Sequence, residues 1–175
     1  MKTSLIIATY NWPAALELVL LSLLKQSRLP DEIIIADDGS TKATKQLIER
    51  YTNKFKCGLR HIWQADKGFQ KTKILNKAVA KANGDYIIQI DGDILLHKHF
   101  IKDHIHTAKQ GAFIHGSRVF LSKKITKKAF ADLAYHFSIF TSGISNRLNG
   151  IRSPLLSAII SSKNTNLKGT RGCNF

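Results

Sequence analysis

Residues 33–40, IIIADDGS, place a continuously apolar run directly before two adjacent aspartates, a glycine and a serine. An apolar run without alternation is typical of a strand that is covered on both faces, as in parallel sheets. The aspartates then stand where such a strand ends, and Ser40 or Thr41 can cap a following helix. The segment therefore predicts a buried strand, a polar turn and a helix.

The same alternation of apolar runs and helical patterns extends over residues 1–96. Further strands are predicted at residues 5–8, 59–63 and 86–90. The order β-α-β-α-β-α-β predicts an α/β fold with a mostly parallel central sheet flanked by helices and joined by right-handed crossovers. Three helices are predicted between these strands, the first with Pro13 in its first turn and the third ended by Gly84. Their apolar residues recur with helical spacing: Leu16, Leu20, Leu23 and Leu24 in the first, Leu47, Ile48 and Tyr51 in the second, and Ile74, Leu75, Ala78, Val79 and Ala82 in the third.

The pattern weakens beyond residue 96. A helix is predicted over residues 100–109, strands over 112–115 and 119–121, and helices and loops over 123–168. The region is also strongly basic, since residues 97–175 contain 13 of the 27 Lys and Arg but only 2 of the 12 Asp and Glu. An anionic partner and a solvated basic face are equally compatible with this asymmetry.

Several function classes lack support in the sequence. No zinc-finger spacing or aromatic RNA-binding signature accompanies the basic charge, so no nucleic-acid partner is expected. A nucleic-acid-binding module is an alternative that rests on charge alone. The pairs His97 and His99, and His104 and His106, are interpreted as surface or core histidines rather than a zinc site. The apolar run at the N-terminus is short and broken by Pro13, which favours a strand over a signal peptide and predicts a cytoplasmic protein.

Acidic residues cluster after the predicted strands. Asp37 and Asp38 follow the second strand, Asp66 follows the third, and Asp91 and Asp93 follow the fourth. Since parallel strands end at one edge of the sheet, where such folds bind ligands, these carboxylates are expected around one crevice. In isolation, Asp91-Gly92-Asp93 could be no more than a polar turn.

The chemistry of these residues suits a nucleotide and a metal. Two carboxylates with substrate phosphates satisfy the oxygen preference of Mg²⁺ or Mn²⁺. Asp37 or Asp38 could accept hydrogen bonds from a base or ribose, and Thr9-Tyr10-Asn11 adds polar groups and an aromatic face beside them. Together the segments outline a nucleoside pocket.

These segments resemble the signature of the family 2 glycosyltransferases. Thr9-Tyr10-Asn11, residues 35–40 and Asp91-Gly92-Asp93 resemble its three main segments in order and spacing. Further likeness lies in Asp66-Lys67-Gly68-Phe69 with Lys71 and Asn76. His97, residues 100–104 and Gly116-Ser117-Arg118 resemble a bacterial subgroup associated with lipopolysaccharide, capsule or related surface glycans.

The resemblance implies a GT-A-type, Rossmann-like fold, with a nucleotide-sugar-binding core at residues 1–121 and the incomplete start of an acceptor-side region at residues 122–175. It implies an inverting, metal-dependent transfer of a sugar from a donor, expected to be UDP-linked, to a glycan or lipid-linked acceptor. The residues implied are Thr9, Tyr10, Asn11, Asp37, Asp38, Asp66, Lys71 and Asp91 for the nucleotide, Asp91 and Asp93 for Mn²⁺ or Mg²⁺, and Arg118 and Asn174 for phosphate or acceptor contacts.

One part of the family pattern is missing. The carboxylate base that accepts the acceptor's proton belongs to a segment expected beyond Phe175, and the acids after Asp93 are only Asp103 and Asp132. The sequence is therefore interpreted as a truncated protein, and a nucleotide-sugar-binding fragment that does not transfer sugar is the alternative. A nucleotidyltransferase is disfavoured because Thr9–Pro13 is not a Gly-rich phosphate loop.

A membrane surface is a further possible partner. Residues 133–160 could form an amphipathic surface against anionic lipid, helped by the flanking lysines. Such a contact would place the protein at the inner face of the membrane and suit a lipid-linked acceptor. The lysines concerned are Lys123, Lys124, Lys127 and Lys128.

Overall fold

The computed structural model describes residues 1–153, which form strands and helices in strict alternation over the first 107 residues. In chain order the elements are β1 (Thr3–Thr9), α1 (Pro13–Leu24), β2 (Glu32–Asp37), α2 (Lys42–Thr52), β3 (Leu59–Trp63), α3 (Lys71–Ala80), β4 (Tyr86–Asp91), α4 (Phe100–Thr107), β5 (Phe120–Leu121), α5 (Lys123–Asp132), β6 (Ile144–Ser145) and a 3₁₀ helix (Arg147–Gly150).

The first four strands form one parallel sheet in the order β3-β2-β1-β4. Its register aligns the strand ends, because Thr9 lies opposite Asp37, and Asp37 lies opposite Trp63. On the other side of β1, Ala8 lies opposite Asp91. The predicted α/β fold with a parallel sheet is confirmed, and the chain segments that follow all four strands leave from one edge.

Both faces of the two central strands, β1 and β2, are buried, as their unbroken apolar runs predict. On one face, Leu5, Ile7, Ile33 and Ile35 pack with apolar residues of α1, α2 and α4. Alternate residues of the same strands point to the other face, where the apolar side of α3 covers them; this cluster is Ile6, Ile34, Ala36, Ile62, Ile74 and Ala78. Because helices cover the two faces, the edge at which the strands end is the part of the sheet that a ligand can reach.

The third helix is shorter than predicted. It ends before Lys81, and Val79 is 42% exposed, so the apolar stripe of the sequence is wider than the buried face. Gly84 does not end the helix. It lies against β1 instead, where its N–H donates to Ser4 Oγ at 2.9 Å and a Cβ would lie 2.5 Å from that oxygen.

The predicted strand at residues 112–115 is wrong. The segment has no strand partner among residues 1–153, and its largest apolar residue, Phe113, is 45% exposed. Only Phe120–Leu121 of the second predicted strand forms β5, which pairs antiparallel with β6. Within residues 1–153, no helix is long and apolar enough to cross a membrane.

Candidate functional site

A cavity of about 320 Å³ opens at the edge of the sheet where the four parallel strands end. Side chains after β1, β2 and β4 and from the start of α3 line it, so the topology assembles it from segments distant in sequence. The lining residues are Ala8, Thr9, Tyr10, Trp12, Ala36, Asp38, Gly68, Phe69, Lys71, Ile74, Asp91, Gly92 and Asp93.

Asp38 is the acidic residue of the β2 end that lines the cavity. Its residue is only 6% exposed, and both carboxylate oxygens accept hydrogen bonds from the protein. Gln64 Nε2 donates to Oδ1 at 2.6 Å, and the Gln70 backbone N–H donates to Oδ2 at 2.9 Å. These two donors fix the orientation of the carboxylate.

Asp37 lies beneath the cavity and does not line it. Its residue is fully buried, with Oδ1 accepting the Ser40 N–H at 2.8 Å and Oδ2 lying 2.9 Å from His61 Nε2. The predicted nucleotide contact is therefore not supported for Asp37, because its carboxylate is enclosed and already bonded. Its role in the fold is to shape the β2–α2 turn that presents Asp38.

Tyr10 and Asp66 join the ends of β1 and β3. The Tyr10 hydroxyl donates to Asp66 Oδ2 at 2.9 Å, and the Gly68 N–H donates to Asp66 Oδ1 at 3.1 Å. The hydrogen bond to Asp66 raises the pKa of Tyr10. The pair forms a polar rim in which Tyr10 lines the cavity and Asp66 lies behind it, outside the lining residues. Their contact with a nucleoside stays a prediction.

Asn11 braces the loop between β2 and α2. It adopts a left-handed conformation with φ of 46°, its backbone N–H donates to Ser40 Oγ at 2.9 Å, and its Oδ1 accepts the Thr41 N–H at 2.8 Å. Asn11 is exposed but is not among the residues that line the cavity. The structure thus places it beside the predicted pocket, whereas Thr9 lines the cavity directly.

Asp91 and Asp93 both line the cavity at the end of β4. Burial, and next the charge of Asp91, raise the pKa of Asp93, while Arg118 and Lys71 lower it. Between them, Gly92 donates to Ala8 O at 2.7 Å, and a Cβ on Gly92 would lie 2.8 Å from that oxygen. A residue without a side chain is therefore needed for β4 to end this close to β1.

Both basic residues that the sequence singled out for the site, Lys71 and Arg118, lie near these carboxylates. Lys71, the first residue of α3, forms an ion pair with Asp91 Oδ1. Arg118 lies close enough to lower the pKa of Asp93, and its guanidinium carbon is 5.1 Å from the centre of the Phe120 ring. Asn174, the other predicted phosphate or acceptor contact, lies outside the described residues.

The carboxylate pair fits a divalent cation that is shared with a substrate. Residues 1–153 contain no cluster of three or more His, Cys, Asp or Glu side chains able to hold a metal by themselves. A hard cation at Asp91 and Asp93 would therefore need further oxygen ligands from phosphates or water, which is the usual arrangement for Mg²⁺ in phosphate-binding sites.

The structure adds residues to the site that the sequence did not assign to it. Trp12 and Phe69 line the cavity while 48% and 89% exposed, and Trp12 makes an edge-on contact with Phe130 of α5 at 6.0 Å between ring centres. Gln64 and His61 hold the two adjacent aspartates from β3. The segment Asp66-Lys67-Gly68-Phe69 was the sequence signal that could have indicated Phe69, whereas the exposure of Trp12 beside the cavity is visible only in the structure.

Comparison with known proteins identifies the family. Residues 4–162 match the model of Glycosyl transferase family 2. The chain belongs to this family. Similar members include hyaluronan synthase of Pasteurella multocida, 36% identical over 52% of this chain and 9% of that protein. Another is the poly(ribitol-phosphate) β-N-acetylglucosaminyltransferase TarS of Staphylococcus aureus, 33% identical over 59% of this chain and 18% of that protein. The chain thus spans less than a fifth of either relative.

Solved structures of this family support the fold. The S. aureus TarS fragment 1–349 in complex with UDP-GlcNAc superposes with a TM-score of 0.54 and is 33% identical, over 61% of this chain and 30% of that one. The α/β arrangement with a parallel sheet flanked by helices is therefore that of the GT-A structures in the family, and the family expectation from the sequence is confirmed.

Proposed function

We propose that this chain binds a UDP-linked sugar in the cavity at the sheet edge and forms the donor side of a glycosyltransferase. The observation that carries the proposal is the meeting of Asp38, Asp91 and Asp93 in one cavity of a family 2 chain. The structure of TarS, which shares the fold, has been solved in complex with UDP-GlcNAc, and this supports the proposal that the present cavity binds a uridine nucleotide.

The nucleoside is proposed to lie against the ends of β1, β2 and β3. Asp38 offers a fixed acceptor for an N–H or ribose O–H, and Thr9 lies beside it. Tyr10 and Asp66 form the rim, and the half-exposed Tyr10 ring provides an apolar face for a base. Asp37 and Asn11 take positioning roles, because their side chains already hold the β2–α2 turn.

The diphosphate is proposed to lie at the end of β4, with Mn²⁺ or Mg²⁺ held by Asp91 and Asp93. When bound, such a cation offsets the charge that develops on the leaving diphosphate. Lys71 can serve the same phosphate end, since its ion pair with Asp91 places its ammonium group at the cavity wall. Arg118 is the second candidate for this role.

The acceptor side is proposed to begin at residue 122, with a glycan or lipid-linked acceptor and inversion at the anomeric carbon. Among residues 1–153, the acids after Asp93 are Asp103, which pairs with Arg152 at 2.6 Å, and Asp132 at the end of α5. Neither lines the cavity. This observation favours, as a second candidate, a nucleotide-sugar-binding chain that does not itself transfer sugar.

Calorimetric titration of UDP and several UDP-sugars, with and without Mn²⁺, tests the proposal. We expect Mn²⁺ to strengthen binding in the wild type and Asp93→Ala to lose this effect. The loss should be at least about tenfold in affinity, since even groups that only support metal ligands contribute that much. Product formation with the preferred donor would then separate transfer from binding alone.

Asp85→Ala is the matched control for this experiment. Asp85 precedes β4, at the opposite end of the strand from Asp91 and Asp93, and accepts a hydrogen bond from the Lys2 N–H at 2.9 Å. It should bind UDP like the wild type. A folded wild-type protein that binds no uridine nucleotide would overturn the proposal, and equal binding by wild type and Asp93→Ala would overturn the metal site.

A further inference from the structure

Gln64 is a buried side chain whose amide lies between two parts of the candidate site. It follows β3 directly, is only 6% exposed, and continues the sheet ladder by donating its backbone N–H to Asp37 O at 3.2 Å. Its side-chain Nε2 donates to Asp38 Oδ1 at 2.6 Å and to Gln70 O at 3.3 Å. A single amide group therefore bonds both the β2 end and the residue that precedes α3.

The orientation of this amide is fixed by its partners. Both groups around Nε2 are acceptors, so a rotated amide would place Oε1 against a carboxylate oxygen and a carbonyl oxygen. In the observed orientation, Oε1 is buried and has no hydrogen-bond partner in the described part of the chain. An unpaired buried oxygen is unfavourable, and such costs are typical of residues retained for a site rather than for stability.

Gln64 acts on Asp38 together with a backbone group from the same loop. The Gln70 N–H donates to Asp38 Oδ2 at 2.9 Å, so each carboxylate oxygen has one protein donor. Because Gln64 Nε2 also donates to Gln70 O, Gln64 holds in place the residue whose N–H bonds the other oxygen of Asp38. Removing the amide would free one carboxylate oxygen and loosen the loop that holds the other.

The same loop connects the nucleoside end of the cavity with its phosphate end. Lys71, which pairs with Asp91, directly follows Gln70, while Asp66 lies two residues after Gln64 and accepts from the Tyr10 hydroxyl. The position of residues 64–71 therefore sets the distance between the groups proposed to contact the nucleoside and the diphosphate.

We propose that Gln64 is the positioning residue of the donor cavity, which fixes the Asp38 carboxylate and the start of α3 for nucleotide binding. This inference rests on the proposed function. Gln64 contacts no substrate, because its side chain is enclosed; it acts through Asp38 and Gln70.

A double-mutant cycle on UDP affinity tests the inference. Gln64→Met keeps the length of the side chain but removes the amide, and we expect it to weaken UDP binding about 10- to 100-fold, the range for a hydrogen bond to a charged group. In an Asp38→Ala background, Gln64→Met should weaken binding by a smaller factor than in the wild type, because only the contact of Gln64 with Gln70 is then left to lose. Gln64→Glu, which places a second carboxylate beside Asp38, should weaken binding at least as much as Gln64→Met.

The control is Thr44→Val. Thr44 is fully buried on α2, its Oγ1 also lacks a partner in residues 1–153, and it does not line the cavity. It should leave UDP affinity unchanged. The thermal midpoint of each variant is measured alongside, and Gln64→Leu, which also removes the amide without adding a charge, replaces Gln64→Met in the cycle if the latter does not fold.

The outcomes separate the inference from the proposed function. A wild-type chain that binds no uridine nucleotide would contradict the proposed function itself. If the wild type binds, unchanged affinity in folded Gln64 variants would overturn the positioning role. Fully additive losses in the cycle would also overturn it, because they would show that Gln64 does not act through Asp38.

Discussion

At the scale of single residues, Gly39 shows how backbone conformation and site geometry depend on each other. Its φ is 98°, a region that side-chain-bearing residues rarely adopt, and a Cβ there would lie 2.6 Å from Asp66 Cα. Gly39 also lies in the turn in which the Asp37 carboxylate accepts a hydrogen bond from the Ser40 N–H. Two separate restrictions therefore require glycine at this position.

Gly39→Ala is expected to destabilise the fold by about 2–3 kcal/mol, since strained conformations cost about 1–3 kcal/mol and the contact with Asp66 adds to this. UDP affinity should fall as well, because the displaced Asp66 backbone carries the partner of Tyr10. Chemical denaturation and calorimetry measure the two effects.

Gly58→Ala is the matched control, because Gly58 has φ of 81° but no atom within 4 Å of a Cβ. It isolates the cost of the conformation, and it lies before β3, away from the cavity. Equal destabilisation in both variants, with UDP binding retained by Gly39→Ala, would show that the contact with Asp66 is unimportant.

The sequence predicted those site residues whose position follows from a strand end. Asp38, Asp91 and Asp93 line the cavity because each follows a strand of one parallel sheet, and strand periodicity is readable from apolar runs. It could not separate Asp37 from Asp38, because which of two adjacent aspartates turns inward depends on His61 of the neighbouring strand. Gln64 was missed for a similar reason, since its partners lie 26 and 6 residues away.

At the scale of elements, the four parallel strands and the helices between them were predictable because each contains a local apolar pattern. The element β6 was not, since a two-residue strand exists only through its partner β5. The opposite error at residues 112–115 has the same origin: Phe113 and Ile114 favour a strand locally, but no partner strand lies beside them in residues 1–153. Pairing, and not local preference, decides such short elements.

Helix α4 provides a pH-dependent element of stability. Its His104 is buried against β4, with Nδ1 3.1 Å from the Tyr86 hydroxyl and its ring 4.5 Å from the Phe100 ring centre. Burial lowers the pKa of His104 to about 4, although the charge of Asp103 acts in the opposite direction. The folded protein thus holds this imidazole neutral where the unfolded chain would protonate it.

The free energy of unfolding should therefore fall as the pH falls from about 6.5 towards 4, because only the unfolded chain binds the proton in this window. At pH 5 the loss from His104 is about 2 kcal/mol. Burial also lowers the pKa of His97, so that residue acts in the same direction. Urea denaturation between pH 5 and pH 7 measures the effect.

His104→Phe is expected to reduce this pH dependence, whatever its effect on stability at pH 7. The control is His106→Gln, since His106 is exposed on the same helix. An undiminished slope in His104→Phe would mean that His104 does not remain neutral in the folded protein.

At the scale of the whole molecule, the basic second half of the chain also contains exposed apolar side chains. The chain has a net charge of +15, and Lys123, Lys124, Lys127 and Lys128 are all exposed on α5. Phe140 and Leu148 are 83% and 82% exposed. All six residues lie between positions 123 and 148 of the sequence, and basic and apolar side chains together are typical of segments that bind anionic lipid, where each lysine contributes about 1 kcal/mol. Contact with an anionic membrane stays a prediction, and of the predicted surface at residues 133–160 the part after residue 153 lies outside the described residues.

The protein should therefore co-sediment with vesicles that contain anionic lipid at low salt, and much less with neutral vesicles, because lysine attraction is screened within about 10 Å at 0.1 M salt. Replacing Lys123, Lys124, Lys127 and Lys128 with Gln should abolish most of the binding.

The matched variant replaces Lys42, Lys45, Lys54 and Lys56, which are exposed on and after α2. It removes the same charge but leaves α5 intact, so it should retain binding. If both variants lost binding equally, net charge alone would account for the interaction, and no binding of the wild type at low salt would exclude a membrane role for this surface.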